Sequence, residues 1–164
     1  MKVYLNDIEI NTCGSLPKAG EKAPEFNLVG VDLGPITLDD FKGKNLVLNI
    51  FPSLDTDVCA ASVRRFNVEA ASMPNTIVLC VSMDLPFAAA RFCTVNDIEN
   101  VLTASGFRSD FGKKYGVQIV DGPMEGLYAR ALVVIGPDGK VLGTSLREQI
   151  TEEPDYAYAK SLLK

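Results

Sequence analysis

The sequence predicts an α/β fold in which helices flank a central mixed β-sheet. Two continuous apolar runs, at 46–51 and 76–82, enclose a segment with helical spacing and predict a strand, helix, strand unit. Two later segments, at 129–135 and 140–146, enclose a Gly-Pro-Asp-Gly turn and predict a β-hairpin. The right-handed crossover makes the first two strands parallel and the hairpin adds antiparallel strands, so the sheet is mixed.

The N-terminal residues predict a smaller hairpin. Apolar residues alternate over 3–10 on both sides of Asn6-Asp7, so we expect a hairpin within residues 1–12 that decorates the main domain. Glycines and prolines punctuate the chain between this hairpin and the first central strand. That strand ends at Pro52 and shows no alternation, which suits burial on both faces.

A helix is expected directly after the first central strand. Cys59, Val63, Phe66 and Ala70 have the spacing of one helical face, and Pro74 sets the latest point at which the helix can end. The second central strand follows and completes the parallel pair.

Three further helices are expected in the rest of the chain. One spans 86–93 and begins at a proline suited to a first helical position, one spans 109–114 and ends at Gly116, and the last spans 155–163. The predicted core order is β-α-β-α-β-β-α, an α/β sandwich around the mixed sheet.

Composition narrows the class of protein. The chain has 164 residues, of which 47% are apolar and 23% charged, with no repeat and no low-complexity linker, so we expect a single domain over 1–164. The net charge is −5 with no basic patch, which argues against nucleic acid and anionic membrane surfaces as partners. No stretch reaches the ~20 apolar residues of a membrane span, and the first residues do not resemble a signal peptide. A cytoplasmic location is expected, or a periplasmic one if a signal was removed.

The absence of histidine restricts the chemistry. Without histidine, the chain lacks Ser-His-Asp and Cys-His nucleophile pairs and all His-ligated metal sites. Its four cysteines contain no CxxC pair and no closely spaced metal ligands, so a cysteine-bound metal and a thioredoxin-type disulfide reductase are both disfavoured. We expect no metal and no cofactor.

Cys59 is the first candidate for a reactive group. It lies where a strand ends and a helix begins, and the free amides and positive dipole end of a helix favour a thiolate, which is the reactive form of cysteine. The alternative is that Cys59 merely begins the apolar face that it shares with Val63 and Phe66.

The residues around Cys59 resemble a known family. The run from Phe51 to Cys59 is similar to the active-site loop of peroxiredoxins, in which proline, three residues, threonine and two residues precede the cysteine; Pro52 and Thr56 occupy those places. The segments 82–93 and 128–131 resemble the resolving-cysteine segment and the arginine-bearing strand of bacterial thiol peroxidases, an atypical two-cysteine branch. The resemblance covers almost the whole chain and implies a thioredoxin-like fold.

The resemblance implies a role for each matching residue. Cys59 would be the peroxidatic nucleophile that attacks hydrogen peroxide or an organic hydroperoxide, and Thr56 would hold the peroxide in line. Arg130 would stabilise the thiolate and the developing negative charge, and Pro52 would shield the site from water. Taken singly, Thr56 could instead be a helix N-cap, Arg130 a surface charge and Pro52 a strand terminator.

The resemblance also implies a second reactive cysteine. Cys93 would resolve the sulfenic acid of Cys59 as an intramolecular disulfide, which thioredoxin would reduce, in a homodimeric enzyme. If both thiols lie in regular helices, we expect local unwinding before they meet, because a disulfide requires Cα atoms within about 7 Å. The alternative for Cys93 is a buried helix residue.

Two cysteines and one acidic residue stand outside this scheme. Cys80 is centred in an apolar strand and is expected to be an inert core thiol, and Cys13 has no activating neighbour, so neither is given a role. Asp57 stands where the family usually has proline. Its carboxylate should oppose the Cys59 thiolate unless it caps the helix or pairs with an arginine, so we expect a slower or more pH-dependent enzyme.

A different class of function remains open at this stage. A redox sensor or interaction module would use the same thiol but pass the oxidation to a partner, whereas a peroxidase would turn over with thioredoxin.

Overall fold

The computed structural model describes residues 1–163, which form one seven-stranded sheet and one separate hairpin. The hairpin consists of β1 (Lys2–Leu5) and β2 (Ile8–Asn11). The sheet strands are β3 (Asn27–Val29), β4 (Pro35–Thr37), β5 (Asn45–Ile50), β6 (Thr76–Ser82), β7 (Leu102–Ser105), β8 (Ala131–Ile135) and β9 (Val141–Leu146). The helices are α1 (Asp57–Glu69), α2 (Pro86–Val95), α3 (Phe111–Lys114) and α4 (Tyr156–Leu162), and short 3₁₀ turns follow β4 and α1.

The sheet is mixed and has the order β4-β3-β7-β6-β5-β8-β9. Strands β5, β6 and β7 are parallel to one another, with Leu46 of β5 opposite Ile77 of β6, whereas β8 pairs antiparallel with β5. All six residues of β5 are buried, as its continuous apolar sequence predicts for a strand covered on both faces. The α/β class, the mixed sheet and the parallel central pair are confirmed.

Three strands of the sheet were not predicted. β3, β4 and β7 contain three or four residues each, too few to show an alternating pattern, and they are held by backbone pairing to neighbouring strands. Several boundaries also differ by one to two residues, and two of them bear on the site. α1 begins at Asp57, ahead of Cys59, and β8 begins at Ala131, so Arg130 lies just before the strand rather than within it.

The two faces of β5 contribute to different cores. Leu46, Leu48 and Ile50 point into one apolar cluster, whereas Val47 points into a second cluster beneath α1 and α4. Because β5 and β6 run parallel, the loops that follow them meet at one edge of the sheet. Cys59, in the first turn of α1, lies at this edge.

The N-terminal hairpin packs against the segments that flank Arg130. Val3 and Ile10 are fully buried in a third cluster with Ala129 and Ile150, and the amide of Tyr4 donates a hydrogen bond to the carbonyl of Glu148. No helix within residues 1–163 has both the length and the apolar composition needed to cross a membrane.

Candidate active site

The thiol of Cys59 contacts a buried arginine. Nη2 of Arg130 lies 3.2 Å from Sγ of Cys59, and the two residues are 1% and 0% exposed. Nε of Arg130 donates to the carbonyl oxygen of Ile150 at 2.7 Å, whereas Nη1 has no hydrogen-bond partner among the described residues. One side of the guanidinium is therefore fixed by the protein, one nitrogen faces the thiol, and one donor remains unused.

The backbone around Arg130 holds the guanidinium in place. Its carbonyl oxygen accepts a hydrogen bond from the amide of Arg147 at 3.0 Å, which extends the β8–β9 pairing by one residue. Within residues 1–163 no carboxylate forms a salt bridge with Arg130. The surface-charge alternative for Arg130 is wrong, because the side chain is buried.

The loop between β5 and α1 is tied to the end of β6 by Asp84. Its carboxylate accepts hydrogen bonds from Oγ of Ser53 at 2.8 Å, the amide of Leu54 at 2.7 Å and Oγ of Ser82 at 2.7 Å. Asp84 is not among the site residues predicted from the sequence. The available signal was its position, since an acidic residue that follows a buried parallel strand lies at the edge of the sheet where the site forms.

Thr56 and Pro52 lie at this site beside Cys59. Thr56 occupies the N-cap position of α1 with extended backbone, but its hydroxyl makes no side-chain cap bond and instead donates to the carbonyl of Ser53 at 3.1 Å. Pro52 is buried and follows the end of β5. The positions of the two residues thus agree with the alternatives, since Thr56 stands at an N-cap position and Pro52 follows a strand. Both residues also line a cavity beside Arg130.

The cavity beside Arg130 has a volume of about 220 Å³. Its wall is mostly apolar, with polar groups where α1 begins, and it is lined by Leu5, Pro52, Thr56, Asp57, Val58, Met124, Arg130, Ile150 and Thr151. Leu5, Met124 and Ile150 come from three distant parts of the sequence, so no local motif could have identified them.

Cys93 lies in α2 and forms neither a disulfide nor a hydrogen bond with Cys59. All four cysteines are free, and Cys93 is half-buried beside a separate groove of about 450 Å³ that shares no lining residue with the Arg130 cavity. Burial raises the pKa of the Cys93 thiol, while a hydrogen bond with Thr103 opposes the increase. Both thiols are thus in helices, the condition under which the sequence reasoning expected unwinding.

The remaining predicted features are placed as follows. Cys80 is fully buried in β6, and burial raises its pKa to about 12, whereas Cys13 is exposed. Asp57 is exposed at the start of α1, and its carboxylate makes neither a hydrogen bond nor a salt bridge within residues 1–163. The two exceptions allowed for Asp57 in the sequence analysis, helix capping and arginine pairing, are therefore not met. Over the same residues, no group of three or more carboxylate and cysteine side chains could hold a metal ion.

A buried arginine against a cysteine, at the helix start that follows a central parallel strand, defines a thiol-based redox protein with a thioredoxin-like fold. Residues 18–160 match the Redoxin family, and the chain belongs to that family. It is 55% identical over 162 residues to a thiol peroxidase of Mycobacterium tuberculosis, covering 99% of this chain and 98% of the relative. It is 50% identical, with the same coverage, to a thiol peroxidase of Corynebacterium glutamicum.

Solved structures share the fold. A peroxiredoxin-like protein from Aquifex aeolicus superposes with a TM-score of 0.92 at 40% identity, covering 98% of this chain and 94% of that one. A thiol peroxidase from Chromobacterium violaceum superposes with a TM-score of 0.92 at 22% identity, covering 99% and 95%. The predicted thioredoxin-like fold is confirmed.

Proposed function

We propose that this chain is a thiol-dependent peroxidase that reduces hydrogen peroxide and organic hydroperoxides through Cys59. The contact of 3.2 Å between Nη2 of Arg130 and Sγ of Cys59 carries the proposal. A buried guanidinium without a carboxylate partner favours an anion beside it, and a thiolate at Cys59 supplies that anion. Family membership and the named relatives support the same chemistry.

The first step transfers one oxygen atom to Cys59. The thiolate attacks the terminal oxygen of the peroxide, a sulfur–oxygen bond forms, the O–O bond breaks, and water or an alcohol leaves after taking a proton. Negative charge develops on the leaving oxygen. Nη1 of Arg130, the donor without a partner in residues 1–163, is available to bind that oxygen.

Thr56 and Pro52 position the peroxide in this proposal. Thr56 lines the cavity, and its hydroxyl, which donates to the carbonyl of Ser53 and does not cap the helix, can still accept a hydrogen bond from the peroxide. Pro52 is buried and limits the access of water to Cys59. The apolar wall formed by Leu5, Val58 and Met124 offers a surface for the carbon chain of an organic hydroperoxide.

Cys93 resolves the sulfenic acid in the second step. Its thiol attacks the sulfur of Cys59, a disulfide forms, and water leaves. Because Cys93 lines a separate groove, the start of α1 and the Cys93 segment of α2 unwind to bring the two sulfur atoms together. Thioredoxin is the proposed reductant. We also propose a homodimer, a cytoplasmic location and a single domain over 1–164.

One oxidation experiment tests these assignments. Fully reduced protein is treated with one equivalent of cumene hydroperoxide, and its thiols and disulfides are mapped by peptide mass spectrometry. We expect a Cys59–Cys93 disulfide with Cys13 and Cys80 free. Cys59→Ser should show no oxidation, and Cys93→Ser should stop at the sulfenic acid.

Turnover distinguishes a peroxidase from a sensor. With thioredoxin, thioredoxin reductase and NADPH, the proposed enzyme consumes many equivalents of peroxide. Oxidation that stops after one equivalent would favour a redox sensor instead, and an unreactive Cys59 would contradict both functions.

A further inference from the structure

A chain of buried polar groups connects α1 to the sheet beneath Cys59. Oγ of Ser62 donates to the carbonyl oxygen of Cys59 at 2.7 Å and accepts a hydrogen bond from Nδ2 of Asn49 at 3.1 Å. Ser62 and Asn49 are both 0% exposed, and Asn49 lies within β5. Neither residue is among the site residues predicted from the sequence.

The surroundings of this polar chain are apolar. Val47 on β5, and Val63 and Phe66 on α1, belong to the cluster that encloses it. Oδ1 of Asn49 has no partner among the described residues, and its amide makes only one other contact, to Sγ of Cys80 at 3.6 Å. Buried polar groups that are incompletely satisfied destabilise an interior, so this pair is unfavourable for packing alone.

We propose that Asn49 and Ser62 are positioning residues that hold the first turn of α1 in its helical form. In that form Cys59 stays against Arg130. The two residues thereby set how the Cys59 sulfenic acid divides between disulfide formation and over-oxidation. This inference rests on the proposed peroxidase function.

The two fates of the sulfenic acid require different conformations. Disulfide formation with Cys93 releases water and requires the first turn to leave the helix, which breaks the bond from Ser62 to the Cys59 carbonyl. Over-oxidation proceeds in the helical form, because a second hydroperoxide transfers oxygen to the sulfenic sulfur, giving a sulfinic acid and an alcohol. A network that favours the helical turn therefore slows disulfide formation and leaves more time for over-oxidation.

The main test is Ser62→Ala, which removes the hydroxyl without adding volume. We expect disulfide formation to become about threefold to tenfold faster, the effect of losing one ordinary buried hydrogen bond. At a fixed excess of cumene hydroperoxide, the sulfinic fraction should fall by a similar factor. Rapid-quench mass spectrometry measures both quantities on the full chain.

Asn49→Leu provides a second variant if Ser62→Ala folds poorly. It removes only the outer bond of the chain, so its effect should have the same direction and be smaller. Disulfide formation in the double variant should be as fast as in Ser62→Ala, and the two single effects should not multiply. The reason is that Asn49 acts on the Cys59 carbonyl only through Ser62.

Two variants serve as controls. Ser161→Ala removes the same type of bond, from a serine hydroxyl to the carbonyl three residues earlier, but in α4. It should leave the ratio of disulfide to sulfinic acid unchanged. Val133→Ala removes buried volume from β8 on the other face of the sheet, in the cluster that does not enclose the network, and so lowers global stability. The ratio of disulfide to sulfinic acid in this variant should remain that of the wild type.

An unchanged or slower disulfide step in Ser62→Ala, with an unchanged or larger sulfinic fraction, would overturn the inference. So would a Val133→Ala variant that shifts the ratio of disulfide to sulfinic acid as strongly. Failure of the proposed function looks different, since the wild type itself would then form neither the disulfide nor the sulfinic acid.

Discussion

Arg130 shows how one side chain combines structure with chemistry. Its Nε is held by the Ile150 carbonyl, its Nη2 contacts Cys59, and its Nη1 is unpaired among the described residues. Only a planar, forked cation provides these three directions together.

We expect Arg130→Lys to lower the second-order rate constant for peroxide by about 100-fold, because lysine keeps the charge but cannot reproduce the fork. Stopped-flow kinetics with cumene hydroperoxide measures this constant. Arg147→Lys is the matched control, since Nε of Arg147 also donates to a carbonyl at 2.7 Å, that of Glu153. Equal losses in both variants would contradict a specific role for Arg130.

Asp57 is the second feature at the residue scale. Its exposed carboxylate opposes an anion at Cys59, but as an acid in the first turn of α1 it also stabilises the helix. We expect Asp57→Pro and Asp57→Asn to react with peroxide about twofold to fivefold faster at pH 7 and low salt, with most of the gain lost at high salt.

Asp55→Asn is the control for Asp57. Asp55 is an equally exposed acid that lies outside the Arg130 cavity. The expectation fails if Asp57→Asn leaves both the rate and its pH profile unchanged. A gain in Asp57→Pro alone would assign the effect to the backbone rather than to charge.

At the scale of elements, α1 and α2 are the parts that change in the proposed reaction. In the dithiol form the amide of Ala60 donates to the Thr56 carbonyl at 2.9 Å, and the amide of Asn96 donates to the Phe92 carbonyl at 3.0 Å. These bonds belong to the two turns that hold Cys59 and Cys93.

We expect amide exchange at Ala60 and Asn96 to become at least about tenfold faster when the disulfide forms, because unwinding exposes both amides. Hydrogen exchange followed by NMR compares the two redox forms. The amides of β5 and β6 should keep their protection and serve as an internal control. Equal protection of Ala60 and Asn96 in both forms would exclude the unwinding step.

At the scale of the whole molecule, a buried thiol and a buried phenol make the stability of the fold depend on pH. Burial raises the pKa of Cys80 from 9.0 to about 12 and that of Tyr128 from 10.0 to about 12. Between those values the folded protein holds protons that the unfolded chain releases. The stabilisation is therefore complete below about pH 9 and is lost as pH rises towards 12.

We expect the free energy of unfolding to fall above about pH 9, by about 1.4 kcal/mol per pH unit for each such group. Urea denaturation under reducing conditions at several pH values measures the slope. Cys80→Ala should reduce this slope by the contribution of one group. Val81→Ala, on the same strand, should lower the free energy of unfolding but leave its slope against pH unchanged. An identical slope in wild type and Cys80→Ala would contradict the assignment.

Much of the fold was accessible from the sequence because its longer elements carry strong periodicity. The β5–α1–β6 unit, the β8–β9 hairpin and the N-terminal hairpin were predicted, whereas β3, β4 and β7 are too short to leave a pattern. The single-domain expectation stays a prediction.

The sequence by itself determined the chemistry that is possible here. It has no histidine, its Cys59 lies near the start of a helix that follows a buried strand, and its Pro52 and Thr56 stand in the peroxiredoxin spacing. Local pattern suffices for such features because helix starts and short loops are encoded by neighbouring residues.

Only the tertiary structure decided how that chemistry is arranged. Arg130, 71 positions from Cys59, meets its thiol because β8 pairs with β5, and Asn49 reaches Ser62 because α1 packs on that strand. Cys93 is kept in a separate groove for the same reason, since helix packing and not sequence distance sets which side chains meet.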